Sequence, residues 1–483
     1  MRYSPRTASI HTLDDDSILH VFYLYRPFFE DKDNIEDWNY NARWWYGLVH
    51  VCRRWRNILF GSAIYLGLSL LCTYGTPVAD MLALSPPLPL LIGYFGYYRG
   101  LTSEDEEGII LALKQHGRVR RIRLHRVVSI MQRLSLVMDE EFPILEYLHI
   151  TRPNPHDDNM TILRFPESLQ APCLRYLELQ GCALPIGSRL LTTATGLVTL
   201  HLNMIHPSTY FHPNILPQWI SLMPHLETLI FRLELIILHP DIERRLTHTS
   251  IIAPITLPNL HCFEFQGFSA YLEALVYRIT APRLEQLSIN ISTMLTSSIP
   301  RLLQFTNTAE NLRFDYARVS FFSKFVEVAV NPYGETDVDV LLIMVNCWNF
   351  DGQVSSMAKI SDSLGQIFST VGHLSLQCQG HSSSSGEYDE AERTEWRKLL
   401  TPFSNVKTLQ IQKALIKGLS RCLQLEDGEL PLELLPELHE LEYFGRDNTG
   451  DAFASFIDAR RNAGRPVTLV RRSFKPTLFG AIL

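Results

Sequence analysis

The sequence predicts an α/β protein in which a small all-helical module precedes a solenoid of strand, loop and helix repeats. The first observation is a six-residue template, apolar-x-x-apolar-x-apolar, which recurs between Val119 and Leu438. The second is the helical spacing of apolar side chains between several of these copies. The third is that residues 9–62 carry two apolar stripes with the spacing of amphipathic helices.

Composition and charge are those of a folded protein outside the membrane. The chain has 483 residues, enough for about three domains or one long array, and 46% of them are hydrophobic. Because 44 basic residues are balanced by 51 acidic ones, the net charge of −7 argues against nucleic acid as a partner. Eight cysteines without a CxxC pair predict neither a zinc site nor a disulfide framework. The opening residues lack a signal-peptide core, so we expect an intracellular protein, cytoplasmic or nuclear.

The helical module, residues 9–62, is predicted to contain two main helices. The first begins at Thr12, whose spacing to Asp15 is that of a capping box. Its apolar face is formed by Ile18, Leu19, Phe22 and Tyr25. After an acidic loop, a second stripe consists of Trp45, Leu48, Val49, Cys52, Trp55 and Leu59. Helices this short bury little core, which favours a module that needs a partner.

Residues 57–79 and 81–98 contain no charged side chain, a pattern that also occurs in membrane spans. Prolines interrupt both stretches and would break a spanning helix, at Pro77, Pro86, Pro87 and Pro89. Alternating apolar residues instead predict two buried strands, over Leu66, Leu68 and Leu70 and over Leu88, Leu90 and Ile92. We therefore expect residues 63–111 to link the module to the array, with no membrane contact.

The template repeats with a mean step of about 29 residues, which is leucine-rich-repeat spacing at its long end. Its copies begin at Val119, Leu145, Leu174, Leu197, Leu226, Leu260, Leu284, Val340, Val371, Val406 and Leu438, with a degenerate copy near Leu312. Residues 112–448 are thus predicted to form a leucine-rich-repeat-like solenoid with a parallel sheet on its concave face and helices outside. Unrelated strands of another α/β fold are the alternative. Residues 449–483 are predicted to cap the array with a helix, a turn at Gly464 and Pro466, and a last strand.

Residues that alternate with the apolar strand positions are expected on the open concave face. At its N-terminal end they are Arg121, Arg123, His125, Tyr147, His149, Tyr176 and Glu178. Further along they are Gln180, Thr199, His201, Asn203, Thr228, Arg232, Glu264, Gln266, Gln286, Ser288, Asn290, Thr408, Gln410, Gln412, Glu440 and Glu442. We expect the first set to anchor a client protein, and the arginine run at 118–126 to suit an acidic partner better than phosphates. A generic hydrophilic sheet face is the alternative.

Two segments resemble a known family. LDDDSILHVF from Leu13 and LVHVCRRWRNILF from Leu48 resemble the F-box, usually Leu-Pro-x-Glu-x-Leu-x-x-Ile-Phe and then Val-Cys-Arg-x-Trp. The second segment matches residue for residue, whereas Asp14 replaces the usual proline and the spacer is long. The paired tryptophans Trp44 and Trp45, and the strings CTYGTPVADML and PPLPL, resemble F-box proteins of mushroom-forming fungi.

The resemblance implies a substrate-recognition subunit of an SCF-type cullin–RING ubiquitin ligase, acting in ubiquitin-dependent degradation. The module would bind the Skp-type adaptor through or beside Leu13, Ile18, Leu19, Phe22, Val51, Cys52 and Trp55. The repeats would then bind the client. Without the resemblance, the same stripe is the core of a helical hairpin, and the chain is a leucine-rich-repeat scaffold that engages no ligase.

No pattern predicts catalytic chemistry. The sequence has no P-loop, no HExxH and no dinucleotide-binding glycine fingerprint. In GHSSSSG, residues 380–386, the second glycine comes two residues too late for an esterase elbow. His156, followed by Asp157 and Asp158, has no further ligand at metal spacing. We therefore expect a protein that is not an enzyme and binds neither cofactor nor metal.

Overall fold

The computed structural model describes residues 13–27, 42–95, 100–125, 130–151, 163–185, 187–205, 215–233, 254–309, 311–312, 314–332, 339–379, 393–425, 432–444 and 450–472. The chain divides into two compact units, residues 1–199 and 200–483. In the described ranges, helices accompany a large, mostly parallel sheet of 16 strands. The α/β class predicted from the sequence is thereby confirmed. No helix in these ranges combines the length and apolar character needed to cross a bilayer.

In the described part of the first unit, four helices come before the first strand. They are α1 (Asp15–Tyr25), α2 (Tyr46–Val49), α3 (Arg53–Gly61) and α4 (Ala63–Leu66). The side chain of Asp14, in extended backbone, accepts a hydrogen bond of 2.6 Å from the Ser17 N–H and so caps α1. The first helix therefore begins at Asp15 and not near Thr12, which lies outside the described residues. Asp14, the residue that departs from the F-box pattern, thus has a local structural role.

The inner face of α1 packs on α3. Ile18 and Phe22 are buried, and the ring of Phe22 meets Trp55 edge-on with 5.0 Å between ring centroids. At the start of α3, the Cys52 sulfur accepts a hydrogen bond of 3.5 Å from the Trp55 N–H. The predicted apolar face of α1 is therefore confirmed for Ile18 and Phe22. Leu19 is only half-buried, and Tyr25, at the end of the helix, is 63% exposed, so the prediction was wrong for Tyr25.

The described part of the first unit continues with strands and helices. These are β1 (Leu70–Cys72), α5 (Val78–Leu84), β2 (Leu90–Phe95), α6 (Ser103–Leu113), β3 (Val119–His125), α7 (Met131–Val137), β4 (Tyr147–Thr151), β5 (Leu163–Arg164), β6 (Tyr176–Gln180), β7 (Cys182–Ala183) and α8 (Arg189–Thr193). Neighbouring strands in the order β1-β2-β3-β4-β6 are parallel, and β5 pairs with β7 separately. The two strands predicted in the charge-free stretches are present, but the first begins at Leu70 because Leu66 ends helix α4.

The helical module shares core with the start of this sheet. Ala42, just before α2, forms one buried apolar cluster with Leu71 of β1 and Leu91 of β2. Leu71 and Leu91 are register partners across the parallel strands β1 and β2. Ala42 therefore packs against one face of the first two strands.

The second unit contains the remaining elements. They are β8 (Thr199–Ile205, which begins at the division), α9 (Ile215–Ile220), β9 (Thr228–Leu233), β10 (Ile255–Thr256), β11 (Cys262–Gly267), α10 (Ser269–Val276), β12 (Ile279–Thr280), β13 (Gln286–Ile291), α11 (Pro300–Thr306), β14 (Tyr316–Phe321), β15 (Phe325–Asn331), β16 (Leu341–Asn346), α12 (Phe350–Ser363), α13 (Gly365–Phe368), β17 (His373–Cys378), α14 (Arg393–Leu400), β18 (Thr408–Gln412), α15 (Ile416–Leu423), β19 (Glu440–Phe444), α16 (Ala454–Asn462) and β20 (Thr468–Arg471). Along these strands, apolar side chains that face the helices alternate with polar ones, as in β13, where Leu287, Ile289 and Ile291 are buried.

Between β13 and β17 the strands do not follow one another in chain order. The spatial order is β13-β16-β15-β14-β17, and β15 is antiparallel to both of its neighbours. The template copies near Leu312 and at Val340 therefore lead into β14 and β16, which lie on opposite sides of β15. The sequence predicted an uninterrupted parallel array, and this prediction was wrong here. Phe325–Asn331 has alternating apolar residues and forms an additional strand, β15, which makes an antiparallel hairpin with β14.

The helix, turn and strand predicted near the C-terminus are present, and their role as a cap stays a prediction. After α16 the chain turns at Gly464, which has a φ of 75°, and enters β20 parallel to β19. The buried Arg460 of α16 donates hydrogen bonds of 3.0 Å to the carbonyl oxygens of Pro436 and Leu438. This arginine therefore fixes the last helix on the loop that precedes β19.

Candidate functional site

The seven residues predicted to bind an adaptor all belong to the helical module. Leu13 and Val51 are exposed, and Leu19, Cys52 and Trp55 are half-buried. Ile18 and Phe22 lie in the core between α1 and α3. The structure therefore groups the seven residues but leaves only part of the set open to a partner. Their role in adaptor binding stays a prediction.

Further apolar side chains of this module face solvent, and the sequence analysis missed them. Leu24 is 69% exposed and Ile64 is 99% exposed. The exposed set, called here the N-terminal apolar surface, comprises Leu13, Val21, Tyr23, Leu24, Tyr25, Val51, Ile64 and Tyr65. The run Val21–Tyr25 is apolar on every side of the helix, and this signal in the sequence indicates a second face to be covered.

Arg54 holds the beginning of α1 against α3. Its guanidinium donates a hydrogen bond of 2.6 Å to the Leu13 carbonyl and one of 2.7 Å to the Asp15 carboxylate. Nearby, Tyr23 of α1 packs on Tyr65 of α4 with ring centroids 5.3 Å apart. These contacts fix the relative positions of α1, α3 and α4, so the N-terminal apolar surface is carried by packed helices.

The predicted client-binding residues lie on β3, β4 and β6, and the parallel pairing of these strands places residues of all three directly beside one another. Three cross-strand rows result, and together they are called the polar grid. The rows are Arg121, Tyr147 and Tyr176; Arg123, His149 and Glu178; and His125, Thr151 and Gln180. The structure thus brings all seven predicted anchors onto one face of three neighbouring strands.

Members of the polar grid interact closely with one another. The rings of Tyr147 and Tyr176 stack with 4.4 Å between centroids and 8° between planes. The Tyr176 hydroxyl donates to the Glu178 carboxylate at 2.6 Å, and His149 Nδ1 lies 3.5 Å from the same carboxylate. His125 Nδ1 and the Thr151 hydroxyl are also hydrogen-bonded.

This packing corrects one expectation. Tyr147 is only 6% exposed and His149 only 8%, so these two side chains do not project onto an open face. The surfaces of Tyr147 and His149 are covered by side chains with which they stack or interact on the adjacent strand, which lies about 4.8 Å away. Arg121, Arg123, His125, Tyr176 and Glu178 are partly buried. That these seven residues bind a client stays a prediction.

Part of the basic run beside the polar grid is structural. Arg118 donates to the Leu88 carbonyl at 3.0 Å, and Arg120 forms an ion pair of 2.9 Å with Glu146. Burial lowers the pKa of the Arg121 guanidinium below its ordinary value. Arg118 and Arg120 therefore fasten neighbouring strands and loops together, and the preference of the run for an acidic partner stays a prediction.

In the second unit the corresponding sheet face carries paired charges. Arg232 of β9 forms an ion pair of 2.6 Å with Glu264 of β11. The buried Glu442 of β19 accepts hydrogen bonds from Gln410 at 2.8 Å and from Arg472 at 2.5 Å. Polar residues expected on this face therefore neutralise one another across neighbouring strands.

Helices α5 and α6 of the first unit border a cavity of 630 Å³, which lies beside the amino ends of both helices. Its lining offers hydroxyl and carboxylate groups from Thr76, Asp80, Thr102 and Glu104. Asp105, which also lines it, accepts a hydrogen bond of 2.9 Å from the Gly75 N–H and belongs to the capping box of α6. That carboxylate therefore serves the fold.

Among the described residues, no three His, Cys, Asp or Glu side chains form a group that could hold a metal ion. GHSSSSG and His156 with its two aspartates lie outside the described ranges. Comparisons with models of known protein families and with curated proteins find no match to this chain. Function is therefore inferred from the N-terminal apolar surface and the sheet face.

Proposed function

We propose that this chain is a substrate-recognition subunit of a cullin–RING ubiquitin ligase. In this proposal the N-terminal helices are an F-box-like module that binds a Skp-type adaptor. The strands and helices that follow are a leucine-rich-repeat-like solenoid that binds a client protein. The ligase chemistry lies on other subunits, and this chain contributes proximity between the client and the ubiquitin donor.

The N-terminal apolar surface is the observation that carries the proposal. Helix α1 already buries Ile18 and Phe22 against α3, yet Val21 and Leu24 remain exposed on its other side. Covering an exposed leucine or valine side chain is worth about 1.5–3 kcal/mol. Exposed apolar side chains gathered on one small helical module are typical of a protein interface. The match of Leu48–Phe60 to the second half of the F-box supplies the class of partner.

The sheet supports the second half of the proposal. Many of the parallel strands are followed by a helix before the next strand, so neighbouring repeats can lend one another an apolar face, as in a solenoid. The polar grid places cations on β3 and the Glu178 carboxylate on β6, so charge varies across the strands. A face with this charge gradient suits recognition of one protein over others.

A protein-interaction scaffold without a ligase is the second candidate. One observation favours it: Ala42 packs with Leu71 and Leu91, so the module covers the first strands as a capping segment of a repeat array would. The capping contact is made by Ala42, which is buried and is not part of the N-terminal apolar surface. The two candidates therefore differ only in whether the N-terminal apolar surface has a partner.

A binding experiment separates them. We expect a purified Skp-type adaptor to bind the full chain, and Val21→Asp with Leu24→Asp to abolish binding because two charges would enter the interface. Leu84→Asp with Leu136→Asp is the matched control, since these leucines are at least as exposed as Val21 and Leu24 but lie outside the module. Circular dichroism checks that both double variants fold. Failure of the unmodified chain to bind would refute the ligase proposal and favour the scaffold.

A further inference from the structure

The loops that follow β13, β14 and β16 meet at one edge of the sheet. β13 and β16 are parallel, and β14 and β16 are both antiparallel to β15, so the three strands end at the same edge. In sheets with parallel strands, ligands bind outside the carboxyl ends of strands where the strand order changes direction. In this unit the chain order is broken at these strands. The edge is therefore a place to look for a binding surface.

This edge carries a set of aromatic, apolar and cationic side chains. Trp348, after β16, is 76% exposed, and the Lys324 ammonium lies 5.0 Å from the centroid of its ring. Phe322 and Phe325 stack at 4.2 Å in the turn between β14 and β15. With the exposed Met294, which follows β13, these residues are called the edge platform. Tryptophan is the side chain most often found to dominate binding energy at interfaces.

The backbone beneath the edge platform is held firmly. The Cys347 N–H donates to the Lys324 carbonyl at 2.9 Å, which joins the two loops directly. Gln353, a fully buried residue of α12, donates hydrogen bonds of 2.7 Å to the Phe322 carbonyl and 2.8 Å to the Cys347 carbonyl. One side-chain amide thus fixes both loops.

A helix cap fixes the Trp348 loop from its other end. The Asn349 side chain accepts a hydrogen bond of 2.9 Å from the Gly352 N–H at the start of α12. A Cβ atom at Gly352 would overlap the Asn349 side-chain oxygen and the Cys347 sulfur, so this close approach requires glycine. Because the loop is ordered before any partner arrives, binding there costs less conformational entropy.

Charge at the edge platform indicates the chemistry of the occupant. Lys324 is an exposed cation, whereas the Lys359 ammonium is engaged with the Leu295 carbonyl at 2.7 Å. A partner carboxylate can pair with Lys324 while an apolar or aromatic side chain beside it covers Trp348. The geometry points to the edge platform as a binding surface for an acidic peptide segment of the client that carries a large apolar side chain. This inference rests on the proposed function, since it names the class of client.

The test uses the full chain and two fluorescent synthetic peptides. One peptide alternates aspartate and glutamate with phenylalanine, and its twin has asparagine and glutamine at the acidic positions. Fluorescence anisotropy should show that the acidic peptide binds at least tenfold more tightly than the twin. Trp348→Ala and Lys324→Glu should each weaken acidic-peptide binding at least tenfold, while Leu84→Asp should leave it unchanged. Trp348→Phe, which keeps an aromatic face, should retain most of the affinity.

Several results would overturn the inference. Equal binding of the two peptides would show that Lys324 does not pair with an acidic side chain. Unchanged binding of the acidic peptide by Trp348→Ala would show that the peptide does not bind at the edge platform. If the chain self-associates in sedimentation experiments and Trp348→Ala abolishes this, the occupant is a second copy and not a client. Adaptor binding, measured on the same variants, should be unaffected. A chain that binds the acidic peptide but no adaptor would refute the proposed ligase function and leave the edge platform intact.

Discussion

Gln353 offers a direct test of how the loops at the sheet edge are held. Replacing it with leucine keeps the side-chain size and removes the amide that donates to the Phe322 and Cys347 carbonyls. A buried carbonyl left without its donor costs about 1–3 kcal/mol, so two cost about 2–6 kcal/mol. Within the described residues the Gln353 amide oxygen itself has no hydrogen-bond partner, and its removal offsets part of this cost. We expect Gln353→Leu to lower the free energy of unfolding by about 2–3 kcal/mol.

Urea denaturation measures this change, and hydrogen exchange locates it. The Cys347 amide, which bonds the Lys324 carbonyl, should exchange faster in Gln353→Leu than in the unmodified chain. Gln353→Glu should cost more than Gln353→Leu, because a carboxylate would face two carbonyl oxygens. The control is Gln366→Leu, an amide near the surface that accepts one hydrogen bond of 3.0 Å from Asn307; its effect should stay within about 0.5 kcal/mol. Equal unfolding midpoints for Gln353→Leu and the control would refute the reasoning.

Three further predictions concern other parts of the chain. Phe22→Ala should destabilise the N-terminal helices by about 3–5 kcal/mol, because it removes a buried ring packed on Trp55; hydrogen exchange should speed up in α1 and α3 while β18 and β19 stay protected. Burial raises the pKa of the Glu327 carboxyl, so the folded state holds its proton more tightly than the unfolded chain does. The unmodified protein should therefore lose stability relative to Glu327→Gln as pH rises from the ordinary glutamate pKa to the folded value, and a pH-independent difference in urea midpoint would contradict this. The hydrogen bond from the Ser17 N–H lowers the pKa of Asp14 in the folded state, so the cap is lost as pH falls through that value; Asp14→Ala should remove the cap at all pH values and speed amide exchange at Ser17.

Most strands could be predicted because their apolar residues alternate. The copy that begins at Leu284 leads into β13, where Leu287, Ile289 and Ile291 are buried as the template requires. This pattern depends only on which sheet face is covered by helices, so it is visible in a single sequence. The buried face of α1 was predictable for the same kind of reason, since Ile18 and Phe22 are four residues apart on a helix.

The order of β14, β15 and β16 could not be obtained in this way. The alternation of Val326, Val328 and Val330 identifies a strand, but nothing local states which strands lie beside it. Burial of Tyr147 and His149 was missed for a related reason. It depends on Tyr176 and Glu178, which lie on another strand and meet them only through the register of the sheet.

Leu13 and Val51 of the N-terminal apolar surface were predicted from the sequence as binding residues, and Val21 and Leu24 could have been predicted as well. Once Ile18 and Phe22 are assigned to the core, Val21 and Leu24 fall on other sides of the same helix. Ile64 could not be placed, because the short helix α4 lies inside a charge-free stretch that strand alternation also fits. Exposure of a side chain depends on the packing of neighbouring elements, which sequence periodicity alone does not give.

The exchanged strand order has a consequence for how this part of the chain folds. Repeat arrays usually grow one unit at a time, because each unit pairs with the one that precedes it in the chain. Here β13 pairs with β16, so its next sheet neighbour is synthesised only after β14 and β15. The chain must therefore lose the entropy of loop closure before β13 and β16 can pair, and this slows folding. We expect the strands β13 to β16 to form together as one cooperative block. A chain cut after β14 would leave β13 with an open edge, whereas a cut after β16 would leave it paired.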